Sequence, residues 1–127
     1  MTEVVIDASA LLALLNSEPG ADVVAEALPD AVISAVNLSE VVAKLCGAGI
    51  PKNDIRQILE PLGLQVKSFD ESSAYQAGML RAGTKSQGIS LGDRACLSLA
   101  GMLGVVALTA DKSWTSLHVG AAVKLIR

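Results

Sequence analysis

The sequence predicts an α/β protein, a three-layer α/β/α sandwich built on a parallel five-stranded sheet. Short apolar runs alternate with longer stretches in which apolar residues recur every three or four positions, a rhythm typical of strands alternating with helices. The runs are rich in Val and Ile and lack a polar face, as expected of strands buried on both sides. The first run, Val4–Ile6, stops at the carboxylate of Asp7. Because open parallel sheets bind ligands beyond the carboxyl ends of their strands, we expect Asp7 at the functional edge.

Length and composition predict one domain, spanning residues 1–127. A chain of 127 residues is long enough for a real core and too short for two domains. Although 51% of the residues are hydrophobic, no apolar stretch approaches the roughly 20 residues of a membrane helix, and no basic signal-peptide region precedes the first strand. Cys46 and Cys96 lie among apolar neighbours in predicted helices, so we expect buried thiols rather than a disulfide or metal site. These features predict a soluble, cytoplasmic protein without membrane association.

Charge and aromatic content restrict how the protein can bind nucleic acid. A net charge of −3 argues against a general polyanion binder, because phosphate contacts depend on Lys and Arg. With one Trp, one Tyr and one Phe, the chain cannot build an aromatic platform for single-stranded nucleic acid. If the protein binds nucleic acid, it must offset its own charge locally, and a bound divalent metal ion is the obvious means.

After the first strand, the first half of the chain predicts four helices and a second strand. In order, these are helices over residues 10–16 and 21–28, a strand over 31–34, a helix over 37–48 and a helix that begins near Pro51. Pro29 closes the second helix, and Gly47 and Gly49 end the third. The third and fourth helices carry apolar stripes at spacings of three and four residues.

The second half predicts three strands and two helices. In order, these are a strand over residues 64–69, a helix over 71–83, a polar loop over 84–90, a helix over 91–102, and strands over 105–108 and 123–126. The pattern Ser68-x-x-Glu71 fits a capping box for the first of these helices. The regular alternation indicates parallel βαβ units, and we find no linker or internal repeat.

Four acidic residues are predicted to meet at the carboxyl edge of this sheet. Asp7 ends the first strand, and Asp111 follows the fourth. Asp93 lies in the first turn of the helix before the fourth strand, and this helix must run antiparallel to the strand, so its N-terminus lies at the same edge. Glu40 lies in the first turn of the helix that leaves the second strand. The four acids therefore predict one acidic pocket.

Each acid also has a purely structural interpretation. Asp7 and Asp111 fit N-caps of the helices that follow them, and Ser90-x-x-Asp93 fits a capping box. Glu40 fits an i,i+4 surface pair with the lysine four residues on. Four like charges on one rim repel unless a cation lies among them, so the set as a whole favours metal ligation. Clusters of oxygen ligands suit Mg²⁺ or Mn²⁺, with water completing the octahedron.

Four short motifs follow one another along the chain, each around one of the acids. They are Val5-Ile6-Asp7-Ala8-Ser9-Ala10-Leu11, Asn37-Leu38-Ser39-Glu40-Val41, Ser90-Leu91-Gly92-Asp93-Arg94-Ala95-Cys96-Leu97 and Leu108-Thr109-Ala110-Asp111-Lys112-Ser113-Trp114, with Val123-Lys124-Leu125-Ile126 as a closing strand. In this order they resemble the PIN-domain ribonucleases, and within them the VapC-type toxins of toxin–antitoxin pairs. The resemblance is specific because it covers the chain from end to end.

The resemblance implies a PIN-like sheet of strand order 3-2-1-4-5 and an endoribonuclease that depends on Mg²⁺ or Mn²⁺. The implied metal ligands and catalytic groups are Asp7, Glu40, Asp93 and Asp111, with Ser9 and Thr109 as supporting hydroxyls. The resemblance also implies a VapB-like antitoxin partner, an RNA substrate of the tRNA or rRNA class, a homodimer, and products with a 5′-phosphate and a 3′-hydroxyl. Metal-activated water needs no His or Ser nucleophile.

Four basic residues lie near the motifs. Arg94 and Lys112 each follow an implied ligand, and they fit contacts with substrate phosphate or the balancing of the pocket's charge equally well. Arg81 and Lys85 border the loop before the third motif and are further candidates for RNA contact. A structural role rather than a catalytic or base-stacking one is expected of Trp114 and His118.

Two other function classes compete with this interpretation. A catalytically silent PIN-like module would act only by binding a partner, and the intact set of four acids argues against it. A phosphotransferase of the haloacid-dehalogenase type needs Asp-x-Asp after the first strand, where this chain has Asp7-Ala8-Ser9. A glycine-rich phosphate loop ending in Gly-Lys-Ser/Thr is also missing from the sequence.

Overall fold

Five strands form one parallel sheet in the structure, a computed structural model that describes residues 3–117 and 119–127. The strands are β1 (Val4–Ile6), β2 (Ala31–Ser34), β3 (Gln65–Lys67), β4 (Val106–Thr109) and β5 (Val123–Leu125). Their order in the sheet is β3-β2-β1-β4-β5, and every neighbouring pair is parallel. The predicted order 3-2-1-4-5 is therefore confirmed. The central strand is β1, so Asp7 directly follows the middle of the sheet.

Seven α-helices connect these strands in the described part of the chain. They are α1 (Ala8–Leu15), α2 (Ala21–Ala27), α3 (Ala35–Gly47), α4 (Lys52–Leu59), α5 (Glu71–Met79), α6 (Arg81–Thr84) and α7 (Leu91–Leu103). Short 3₁₀ turns follow three of them, and a further 3₁₀ turn, Lys112–Ser116, follows β4 and comes directly after Asp111. The single helix predicted over residues 71–83 is divided, because α5 ends at Met79.

The core lies on both faces of the sheet, as a three-layer sandwich requires. On one face Ile6 packs in a cluster with Leu11 of α1, and on the other face Val5 packs with Leu97 of α7 and with Trp114. Successive strand residues point to opposite faces, which explains why neighbours in β1 belong to different clusters. Trp114 is only 1% exposed, so its predicted role as a packing anchor is confirmed.

The start of α3 differs from the prediction and moves one candidate acid. The helix begins at Ala35 rather than near residue 37, because Ser34 at the end of β2 is its N-cap. The Ser34 hydroxyl accepts a hydrogen bond from the backbone N–H of Val36 at 3.2 Å. Glu40 therefore lies in the second turn of α3 rather than in the first.

Two further predictions are wrong at positions near the surface. The pattern Ser68-x-x-Glu71 does not form a capping box, because Asp70 caps α5 and accepts a hydrogen bond from the Ser73 N–H at 2.9 Å. Cys46 is exposed although its neighbour Leu45 is buried, so Cys46 lies on the outward face of the last turn of α3. Cys96 is buried as predicted. Within residues 3–117 and 119–127, no helix is both long and apolar enough to cross a membrane.

Candidate metal centre

The carboxylate of Asp7 lies at the centre of a hydrogen-bond network at the carboxyl edge of the sheet. Asp7 is 5% exposed and is the N-cap of α1, where it accepts a hydrogen bond from the Ala10 N–H at 2.8 Å. The Ser9 hydroxyl lies 2.8 and 2.9 Å from its two oxygens, and the Thr109 hydroxyl donates to its Oδ2 at 2.6 Å. Both of the predicted supporting hydroxyls therefore contact Asp7 directly.

The same two hydroxyls fix the chain that leaves β4. The Ala110 N–H donates to the Ser9 Oγ at 2.9 Å, and the Asp111 N–H donates to the Thr109 Oγ1 at 3.0 Å. These bonds connect the end of β1 to the end of β4. The position of the Asp111 backbone is therefore tied to Asp7 through the two hydroxyls.

Glu40 is held by a pair of residues that the sequence analysis did not single out. The side-chain amide of Asn37 donates to Glu40 Oε1 at 2.9 Å and to the Gly92 carbonyl at 3.1 Å. Asn37 is 1% exposed, so these bonds are shielded from water. The Glu40 carboxylate packs directly against the Cα of Gly92, where the Cβ of any other residue would overlap its oxygens. Glu40 is thus placed beside the first turn of α7, which carries Asp93.

One sequence signal for Asn37 was available. Asn37 lies one helical turn before Glu40, a spacing at which side chains on a helix meet. The need for glycine at position 92 depends on a contact between residues far apart in the chain, and no local pattern indicates it.

Asp93 and Asp111 act as caps in the structure, as the structural interpretation of the sequence proposed. Asp93 Oδ2 accepts from the Ser90 N–H at 2.9 Å, and the Ser90 hydroxyl accepts from the Asp93 N–H at 3.1 Å, which completes a capping box. Asp111 Oδ1 accepts from both the backbone N–H and the hydroxyl of Ser113, at 2.9 and 2.7 Å. Each carboxylate uses one oxygen in this way, and its other oxygen has no hydrogen bond to the described residues.

The electrostatics show that three of the acids lie near one another. Burial raises the pKa of Asp7 above its ordinary value of 3.8, the hydrogen bonds from Thr109, Ala10 and Ser9 oppose this, and the charge of Asp93 adds to it. Burial also raises the pKa of the Cys96 thiol, and the charges of Asp7, Asp93 and Glu40 raise it further. Cys96 lies in α7 one turn after Asp93, so the charges of all three carboxylates act on the beginning of this helix.

The chemistry of these side chains fits Mg²⁺ or Mn²⁺, because every donor is a carboxylate or hydroxyl oxygen. Within residues 3–117 and 119–127, no three His, Cys, Asp or Glu side chains are close enough together to hold an ion as they stand. Like charges separate when no cation lies among them. To hold an ion, at least three of these carboxylates would have to lie closer together than they do here.

The candidate basic residues do not pair with these acids. The Arg94 guanidinium donates to the Ala77 carbonyl of α5 at 3.3 Å, and its Nε is buried without a partner among the described residues. Lys112, Arg81 and Lys85 are exposed. Salt bridges elsewhere in the described chain join Arg56 to Glu60 and Arg127 to Glu18, whereas none forms between Glu40 and the lysine four residues on. His118 lies outside the described residues.

Comparisons with known proteins agree with the fold. A family profile described as PIN domain matches residues 4–118. The comparison with curated proteins finds no match.

Solved structures give the same fold. DNA-bound VapBC from Salmonella typhimurium has a TM-score of 0.77 and 17% identity over 100% of both chains. A toxin–antitoxin complex from Klebsiella pneumoniae has a TM-score of 0.77 and 19% identity over 98% of both chains. FitAcB from Neisseria gonorrhoeae has a TM-score of 0.68 and 24% identity over 94% of this chain and 95% of the other. Likeness at these identities establishes a shared fold.

Replacing Gly92 by alanine should displace Glu40 and weaken metal binding. The added Cβ would overlap the Glu40 carboxylate, and loss of a group that orients a ligand typically costs about 10- to 100-fold in metal affinity. Calorimetric titration with Mn²⁺ measures this loss. The matched control is Gly101→Ala in the same helix, where the nearest atom to an added Cβ is the Gly120 carbonyl oxygen at 3.8 Å. Equal affinities for the two variants would show that Glu40 does not contribute to the site.

Asp7→Asn should change how stability depends on pH in the metal-free protein. Because the folded-state pKa of Asp7 is raised, its contribution to stability is fullest below its ordinary pKa of 3.8 and falls as pH rises toward the folded-state pKa. The neutral variant lacks this fall, so its unfolding free energy relative to wild type should increase across that interval. Urea unfolding in chelator, at a series of pH values, measures the difference. With the exposed acid changed in Asp22→Asn as control, a difference for Asp7→Asn that does not vary with pH would contradict the prediction.

Proposed function

The chain belongs to the PIN-domain family, and from that premise we propose that it is a metal-dependent endoribonuclease acting as the toxin of a VapBC-type toxin–antitoxin pair. The observation that carries the proposal is the buried Asp7 network, with Glu40 and Asp93 beside it, at the carboxyl edge of the sheet. Such a cluster of acids destabilises the metal-free fold, because its members repel one another. A bound cation would offset this repulsion, so a cation site is a reason for these acids to lie together.

In the proposed site Asp7, Glu40, Asp93 and Asp111 hold Mg²⁺ or Mn²⁺. The ion, when bound, lowers the pKa of water and offsets the negative charge of the phosphodiester during hydrolysis. Ser9 and Thr109 keep the Asp7 carboxylate in one orientation by donating to it. Asn37 does the same for Glu40.

Three of the candidate basic residues are free to contact the RNA backbone. Lys112, Arg81 and Lys85 are exposed and make no salt bridge to the described residues. Arg94 faces the Ala77 carbonyl of α5 instead, which supports a structural role for it. An RNA substrate of the tRNA or rRNA class remains part of the proposal through the resemblance, as does a homodimer.

A second candidate function is supported by the capping roles of the acids. Because Asp7, Asp93 and Asp111 each cap a helix or turn, all three could be retained for structure in a catalytically silent module that only binds a partner. The two functions differ in what a carboxylate-to-amide change does. An amide still accepts the capping hydrogen bond, but it ligates a hard cation poorly.

Asp93→Asn and Asp111→Asn should each lower RNA cleavage in Mg²⁺ or Mn²⁺ at least about 100-fold, since the ion supplies several kcal/mol of charge stabilisation. The fold should survive both changes, because the retained carbonyl oxygen can still accept the capping hydrogen bond. Cleavage of total RNA is measured together with the melting temperature, and Asp22→Asn is the control. Full activity in either variant, or no metal-dependent cleavage by wild type, would favour the silent module.

The proposed partner is a VapB-like antitoxin whose helical tail lies along α1 and α3. An apolar groove of about 400 Å³ between α3 and α4, lined by Leu38, Val42 and Ile55 among others, offers it a surface. An arginine of such a tail would suit the acidic rim, because its planar guanidinium matches carboxylate oxygens in pairs. One solved neighbour is described as a toxin–antitoxin complex and another as DNA-bound VapBC, which supports this partner.

Expression of the protein alone should slow bacterial growth, and co-expression of the antitoxin encoded beside it should restore growth. Val42→Asp places a charge in the α3–α4 groove, so this variant should bind the antitoxin at least about tenfold more weakly and stay toxic when both are expressed. Ser72→Asp on α5 adds the same charge at an exposed position and is the control. A harmless wild-type protein that binds no product of a neighbouring gene would overturn the toxin assignment and leave the family and fold.

A further inference from the structure

An open groove of about 580 Å³ lies beside the candidate metal centre and shares Glu40 with it. One side of the groove is formed by α3, with Ser39 and Glu40. The other side is the beginning of α7, with Leu91 and Gly92, and Phe69, just beyond β3, also lines the groove. Any molecule that occupies the groove is therefore next to the acidic site.

The lining of the groove excludes a phosphate and suits an uncharged ring. Among the described residues no Lys or Arg lines it, and the one charged group that does, Glu40, is negative. The remaining surface consists of small apolar side chains, serine hydroxyls, one aromatic ring and one leucine. A nucleotide has a charged phosphate and an uncharged flat base, and only the base matches this surface.

Two large apolar side chains in the groove are accessible to solvent. Leu91 is 50% exposed at the first position of α7, and Phe69 is half-buried. A base that entered the groove would cover both side chains. Stacking on one aromatic ring binds one base, which is compatible with a chain that has too few aromatic residues for a longer platform.

On the basis of the proposed function, we propose that this groove is a subsite for one unpaired nucleobase of the RNA, stacked on Phe69 and in contact with Leu91, next to the phosphate at the acidic site. A base within a duplex cannot reach the groove, because its faces are already stacked and its edge is paired. The subsite therefore selects single-stranded or looped RNA.

Two hydroxyls are placed to read the edge of that base. The Ser90 oxygen accepts from the Asp93 N–H, which leaves its own proton to donate to the base. The exposed Ser39 hydroxyl makes no hydrogen bond to the described residues. Both groups can donate or accept, so they allow a preference among bases.

The test combines a change in the protein with a change in the RNA. The probes are fluorescein-labelled single-stranded RNA octamers, intact or with one base removed at successive positions, and the solution contains Ca²⁺ to neutralise the carboxylates. Phe69→Ala should weaken binding of the intact octamer about tenfold. For the octamer that lacks the stacking base, the affinity of wild type should be lower by the same factor, and Phe69→Ala should not lower the affinity further.

Controls separate stacking from folding. Phe69→Leu keeps apolar volume at this position and should lose part of the affinity while remaining folded, as checked by its melting temperature. Tyr75→Ala removes the exposed aromatic ring of α5, which does not line the groove, and should leave affinity unchanged. A loss for Phe69→Ala that is the same with every octamer, or no loss at all, would overturn the subsite.

The same material distinguishes the subsite from the proposed function. RNA that binds through Phe69 but is not cut in Mg²⁺ or Mn²⁺ would overturn the nuclease proposal and support the subsite. RNA that is cut by wild type and by Phe69→Ala with equal KM would overturn the subsite and support the nuclease. No RNA binding in Ca²⁺ would overturn the subsite whatever the cleavage result.

Discussion

The hydrogen bonds to the buried carboxylate of Asp7 join the central strand β1 to its neighbour β4 at the carboxyl edge of the sheet. A carboxylate that is 5% exposed needs donors around it, because an unpaired buried charge is costly. Ser9 supplies one donor from the turn after β1, and Thr109 supplies another from the end of β4. Since these hydroxyls in turn accept from the backbone after β4, the turn that presents Asp111 depends on Asp7 as well.

The capping role of Asp93 and Asp111 is compatible with the proposed metal-binding role, although the two were alternatives in the sequence. Asp93 and Asp111 satisfy backbone N–H groups with one oxygen and keep the other unbonded. A cap fixes the direction of the carboxylate without using its full capacity as an acceptor. Capping therefore leaves one oxygen of each carboxylate available, which a cation could use in the proposed site. Glu40 is not a cap, and its orientation depends on Asn37 and Gly92 instead.

The edge at which the acids lie was predictable from the sequence, because it follows from periodicity and from the direction of parallel strands. The sheet order came from the resemblance to the PIN-domain ribonucleases and not from the pattern of the residues. The location of Asp7 and Asp111 at this edge follows from the strands that precede them. The start of α3 was missed because Ser34 belongs to a strand and also caps the next helix. The role of Gly92 was missed for a different reason: its contacts with Asn37 and Glu40 join residues more than 50 positions apart, and one sequence does not display such contacts.

The charge of the protein constrains how RNA affinity can be distributed over the proposed site. The net charge is −3, and no basic side chain among the described residues forms a salt bridge with the clustered acids. Attraction to phosphate must therefore come from the bound cation together with a few exposed cations such as Lys112. Stacking of a base on Phe69, as proposed, would add affinity without adding charge. It would do so beside Glu40, where a lysine or arginine would compete with a metal ion for the carboxylates. An uncharged base subsite and an acidic metal site can therefore lie side by side, because the base adds no charge near the carboxylates.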